Sequence, residues 1–160
     1  MDIVISGPVG LEGTAALAER YRSRLTERYS AAYIRRAEAF CSRDCGAAAE
    51  CETLMLGEDG ICGALWRMAE ERGCGFRIDL RSIPLKQETV EFCNLLDLDP
   101  YRLDSGKCRL FLCNDGAAFL WALREQGFEE AAIVGHTTQD HKKILLYDGV
   151  ERHLTPPGRD

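Results

Sequence analysis

Along the chain the spacing of apolar residues switches between a two-residue and a three-to-four-residue period. That switching outlines the elements. Residues 2–5, DIVI, form a short β-branched run that predicts a strand. SGPVGLEGT follows, with glycines at 7, 10 and 13. From there Leu11, Ala15, Ala18, Tyr21, Arg22 and Leu25 recur at helical spacing. Ser30 is a good N-cap for a second helix carrying Ile34, Ala37 and Phe40. Residues 41–52 are rich in Cys and Ala and show no clear period. A helix then places Ile61, Leu65, Met68 and Ala69 on one face and Arg67, Glu70 and Glu71 on the other, ended by Gly73 and Gly75.

The second half reads in the same way. FRIDL at 76–80 alternates as a strand, and IPLKQETVEFCNLLDL enters a helix through Val90, Cys93 and Leu96. DPY at 99–101 is a turn, and CRLFLC at 108–113 is a strand. Asn114 and Asp115 cap the helix of Phe119, Leu120 and Leu123, which stops at Gly127. AAIVG at 131–135 is a buried-type strand. Asp148-Gly149 between two apolar runs predicts a hairpin with a type I′ turn. Interleaved helices and strands with a closing hairpin predict an α+β domain over residues 1–155, a mixed sheet flanked by helices. Residues 156–160 form a loose tail.

Composition narrows the function classes. The chain has 160 residues, which suits one domain, with 46% hydrophobic and 29% charged residues, a globular balance. A net charge of −6 argues against a nucleic-acid partner, which usually leaves a basic stripe. No apolar run approaches the length needed to span a bilayer, and MDIVISGPVG lacks the features of a signal peptide, so a cytoplasmic location is expected. Eight cysteines are then expected as free thiols, several of them small buried hydrophobes. The cluster Cys41, Cys45 and Cys51 is the one weighed for a metal or redox role. It lacks paired C-x2-C spacing and a nearby histidine.

Three stretches have residue types suited to chemistry. The turn of Ser6, Gly7, Gly10, Gly13 and Thr14 can offer backbone N–H groups at a helix start to an anion. It can equally be a plain strand-to-helix turn, and Glu12 among its glycines disfavours a bare phosphate. Glu58 and Asp59 precede the helix at Gly60, where carboxylates suit the positive end of the helix dipole. A phosphate there would face two like charges unless magnesium bridged them. His136 and His141 flank TTQD in an expected loop, read as surface polarity rather than a metal pair. No Walker loop, G-x-S-x-G or Cys–His signature occurs.

The ordered series SGPVGLEGT, GEDGICGALWRMAEERGCGFRIDLRSIPLKQETVEFCNLLDLDPYRLDSGK and AAIVGHTTQD resembles the C-terminal domain of the AIR synthase-related superfamily. This is the family of aminoimidazole ribonucleotide synthase and of the hydrogenase maturation factor HypE. The likeness runs from about residue 2 to about 157 and is nearest to the HypE-like members. It implies an α/β sandwich with a mixed sheet. It also implies a lone C-terminal domain without the N-terminal half that carries most of the ATP and metal ligands. Such a domain would not be catalytic alone. With a separate ATP-binding N-terminal half, and with ATP and magnesium, it would complete a site for amide or carboxamide activation. Its contribution would be a phosphate or substrate pocket of Ser6, Gly7, Gly10, Gly13, Thr14, Glu58 and Gly60. In relatives the segment before the GALW-type helix reads Asp-x-Thr-x-Gly-Gly. Here Met55, Gly57, Asp59 and Gly60 stand at the four named places, so only the last glycine survives. That departure implies a remnant that now caps a helix. The chain also ends PPGRD, without the terminal reactive cysteine of HypE. Two alternatives stay open: an interaction module that has lost nucleotide function, and a Cys-based metal or redox protein. A severed domain is also expected to self-associate or to bind a partner.

Overall fold

The computed structural model describes residues 1–42 and 50–158. Seven strands form one sheet: β1 (Asp2–Ile5), β2 (Glu52–Met55), β3 (Gly75–Asp79), β4 (Arg109–Cys113), β5 (Ala132–Thr138), β6 (Lys143–Tyr147) and β7 (Val150–His153). Their order is β2-β4-β1-β5-β3-β6-β7. The β3–β6 pair is parallel and the other pairs are antiparallel, so the sheet is mixed.

Side chains alternate across a strand, and the cores on the two faces follow from that. Ile3, Ile5, Leu110, Leu112, Phe76 and Ile78 point to one face, where Ile61, Leu65 and Met68 of α4 (Gly60–Arg72) complete the main core. Val4, Phe111 and Cys113 point to the other, where Leu123 of α6 (Gly116–Glu125) and Phe119 cover them. A third cluster joins α1 (Leu11–Arg20), α2 (Arg22–Thr26), α3 (Ala31–Glu38) and α5 (Gln87–Leu96) through Leu17, Leu25, Ile34 and Phe92.

Local chemistry explains most boundaries. Ser30 caps α3 by accepting from the Tyr33 N–H, and Asp115 caps α6 by accepting from the Ala118 N–H. Gly73 closes α4 in the left-handed conformation. Asp148 and Gly149 both have positive φ, 50° and 77°, as a type I′ hairpin requires.

The structure departs from the sequence expectations at five places. The first long helix breaks at Tyr21, and α2 then carries Leu25 into the third cluster. The edge strand β2 begins at Glu52, the last residue of the stretch that showed no period, and is not predicted by the spacing; its four residues are exposed or half-buried. The buried face of α5 is Thr89, Phe92 and Cys93, while Val90 is exposed, because Phe92 packs with Leu17, Leu25 and Ile34 of the neighbouring helices and Thr89 meets Thr14. β5 runs on to Thr138, so His136 sits in a strand rather than a loop. Asp59 occupies the N-cap position of α4, as expected, but its side chain makes no capping hydrogen bond.

Candidate functional site

Three segments distant in sequence meet at one end of the sheet: the turn 6–14, the loop 55–60 before α4, and residues 101–108. The 101–108 segment connects a short 3-10 turn (Pro100–Arg102) to β4. Its backbone is threaded between the other two. Gly57 N–H donates to Gly106 O at 3.1 Å, Ser105 N–H to Gly57 O at 3.0 Å, and Gly13 N–H to Asp104 O at 2.8 Å.

Each predicted site residue can be placed in this junction. Ser6 is buried, and its Oγ accepts from the Arg109 N–H at 2.9 Å and donates to Cys108 Sγ at 3.6 Å. The Gly7 carbonyl accepts from the Cys108 thiol at 3.5 Å. Gly10 N–H donates to Ser105 Oγ at 2.8 Å. Thr14 is fully buried and donates its hydroxyl proton to Gly10 O at 2.6 Å. Its contact with Thr89 Oγ1 at 2.7 Å therefore has Thr89 as donor. Three N–H groups of the turn, those of Gly10, Gly13 and Thr14, are thus engaged inside the protein.

Glu58 is exposed beside the junction. Gly60 makes its tightest approach to main chain. It has φ +68°, and a Cβ there would lie 2.6 Å from Leu103 O and 2.7 Å from Tyr101 O. The glycine that survives from the family pattern is therefore one the backbone itself requires.

Glu12 is the residue that sequence reasoning undervalued. Its carboxylate lies against Gly106, where a Cβ would fall 1.4 Å from Oε2. Oε2 is buried without a hydrogen-bond partner. Burial, and next the nearby Asp104 carboxylate, hold the Glu12 carboxyl above its usual range, against a hydrogen bond from the Lys107 N–H. The Asp104 carboxylate accepts from the Gly106 N–H at 2.9 Å. The signal available in the sequence was the pairing of LEG with DSGK, but nothing in their spacing shows that they meet.

The junction is mixed in charge: the Glu12 and Asp104 carboxylates lie at the turn with Lys107 beside Glu12, and Arg109 Nε is buried without a hydrogen-bond partner. A bare phosphate placed at the turn would meet Glu12 and Asp104, and three of the N–H groups it would use are already taken. The carboxylates and the engaged N–H groups leave the turn poorly suited to gripping a bare phosphate by its backbone alone. A raised carboxyl beside a second carboxylate is suited to exchanging a proton.

The remaining candidates do not gather. Cys41 is exposed and Cys51 half-buried, while Cys45 lies outside the described residues. Among the described residues no group of three His, Cys, Asp or Glu is arranged to hold a metal ion. On the other side of the Pro100–Arg102 turn, Leu80, Tyr101, Tyr147, Asp148, Val150 and Arg152 line an open groove of about 460 Å³. Tyr147 and Val150 there are 49% and 60% exposed.

Comparison with known proteins places this geometry. The family model for AIR synthase related protein, C-terminal domain, matches residues 2–148. The chain belongs to that family. A carbamoyl dehydratase HypE from Rhizobium leguminosarum bv. viciae is 37% identical over 84 residues, covering 51% of this chain and 24% of the relative. The crystal structure of E. coli HypE superposes with a TM-score of 0.75 at 22% identity, over 99% of this chain and 50% of that one. A HypE solved in complex with ATP superposes with a TM-score of 0.75 at 20% identity, over 99% and 51%. At such identities the superpositions show the fold, and the chain spans about half the length of those solved proteins. The α+β sandwich and its mixed sheet are therefore those of the HypE C-terminal region. No helix among the described residues is long and apolar enough to cross a membrane.

Proposed function

We propose that this domain serves as the C-terminal half of an ATP-dependent, HypE-like assembly and is not catalytic alone. The observation that carries the reading is coverage: nearly the whole chain superposes on half of a HypE chain. In this reading a separate N-terminal half holds ATP and magnesium. The reaction class is carbamoyl or carboxamide activation, by analogy with the relative named carbamoyl dehydratase. This chain contributes the face around Ser6–Thr14 and Glu58, with the Glu12–Asp104 carboxylates held beside it. Those carboxylates orient or deprotonate a neutral amide-like group; they are unsuited to gripping phosphate.

The test is equilibrium binding of Mg-ATP, by titration calorimetry, to the chain alone and to the chain mixed with its N-terminal-half partner. The expected result is no saturable binding alone and saturable binding in the mixture. Tight binding by the chain alone would overturn the reading. The second reading, an interaction module without nucleotide function, is favoured by the engaged N–H groups at Gly10, Gly13 and Thr14. It predicts no nucleotide binding in either sample.

A further inference from the structure

The thiols of Cys51 and Cys113 lie outside the junction. β2 and β4 pair antiparallel with Glu52 opposite Leu112 and Thr53 opposite Phe111. Cys51 immediately precedes β2 and Cys113 ends β4, so extending that register by one residue brings the two across from each other. Packing agrees with the register. Cys113 belongs to the buried cluster of Val4, Phe111 and Leu123, and Cys51 packs against that cluster on the same face. Both are free thiols. Directly opposed residues of an antiparallel pair have Cα atoms about 4.5–5.5 Å apart. That lies inside the Cα separation of about 4.4–6.8 Å at which a disulfide closes.

We propose that Cys51 and Cys113 form a reversible cross-strand dithiol–disulfide pair that fastens the edge strand β2 to β4 on oxidation. The oxidant is a small-molecule disulfide such as glutathione disulfide. Cys51 is half-buried and Cys113 buried, so Cys51 is the thiol an oxidant reaches first. Its thiolate attacks the oxidant, breaking that S–S bond and releasing one small thiol. Cys113 then attacks the mixed disulfide on Cys51, forming the protein S–S bond and releasing the second small thiol. Two electrons pass to the oxidant, and the two protein thiol protons end on the released thiols. Burial raises both thiols, and at Cys113, held up to about 11, the neighbouring Cys51 adds to the rise. Formation is therefore faster at pH 9 than at pH 7.

The test uses the full chain in a series of reduced and oxidised glutathione mixtures, quenched with acid, alkylated under denaturing conditions and mapped by peptide mass spectrometry. The expected product is a linked Cys51–Cys113 peptide pair, reversed by reductant and missing in Cys51→Ser and in Cys113→Ser. A stable glutathione adduct on Cys51 with Cys113 still alkylated would overturn the proposal. So would a link from Cys51 to Cys41 or Cys45. The wild-type map decides the matter even where the Cys113→Ser protein fails to fold.

Discussion

Replacing Gly60 by alanine tests the claim that the junction is built on backbone contact. Gly60 has φ +68°, and an L-residue held in the left-handed region costs about 1–2 kcal/mol. The new Cβ would also lie 2.6 Å from Leu103 O and 2.7 Å from Tyr101 O. Those are main-chain oxygens, so relief requires moving the 101–103 backbone, an overpacking cost of about 1–3 kcal/mol. Gly57 is an internal control. Its φ is +69°, yet a Cβ there meets nothing within 4 Å. Both substitutions restrict the unfolded chain equally, so that contribution cancels between them. Gly60→Ala is therefore expected to lose about 2–5 kcal/mol and Gly57→Ala about 1–2 kcal/mol. The assay is urea unfolding followed by circular dichroism, with the slope checked for constancy so that midpoints report stability. Losses equal within about 0.5 kcal/mol would refute the close-approach argument, since that is the size of ordinary surface effects.

Three further outcomes follow from the same geometry. Ser105→Ala removes the acceptor of the buried Gly10 N–H and is expected to cost about 1–3 kcal/mol in the same unfolding assay. Glu12 has its carboxyl raised by burial and by Asp104, so the native state holds its proton more tightly than the unfolded chain. Wild-type stability from this group is then intact below about pH 4.3 and is lost as pH rises through the raised native value. Glu12→Gln is accordingly expected to be the more stable protein at pH 7, with the advantage fading toward pH 4; a pH-independent difference between the two proteins would contradict this. Burial pushes Cys62 up to about 12 and Cys93 up to about 11. At pH 8 both are then held almost entirely as thiols. Alkylation of the native protein should reach exposed Cys41 while Cys62 and Cys93 react only after denaturant is added, as peptide mapping would show.

How far the sequence foretold this depends on whether a signal is local. Capping by Ser30 and Asp115, the Asp148-Gly149 hairpin and the end of α4 at Gly73 are written within four residues and appear as expected. The β2 strand is not written locally: Glu52–Met55 is an edge with no buried alternation, and only its pairing with β4 makes it a strand. The face of α5 is misjudged from its own spacing because its partners are distant in sequence: Phe92 packs with Leu17, Leu25 and Ile34, and Thr89 meets Thr14 across 75 residues. The same holds at the site. The glycine turn, Glu58 and Gly60 are visible as residue types suited to a ligand. That Ser105 and Asp104 occupy the turn's N–H groups, and that Glu12 lies over Gly106, depends on the third segment. No spacing in the chain encodes that meeting. The family resemblance supplied the order of segments, and the fold shows what brings them together.

The central claim is that this domain functions with an ATP-binding N-terminal half. The most direct measurement is a quantitative affinity purification of the tagged chain from its native lysate, read by mass spectrometry against an untagged control. The account predicts stoichiometric recovery of a protein whose sequence resembles the N-terminal half of HypE. Recovery of this chain alone, with no such protein enriched, would contradict it.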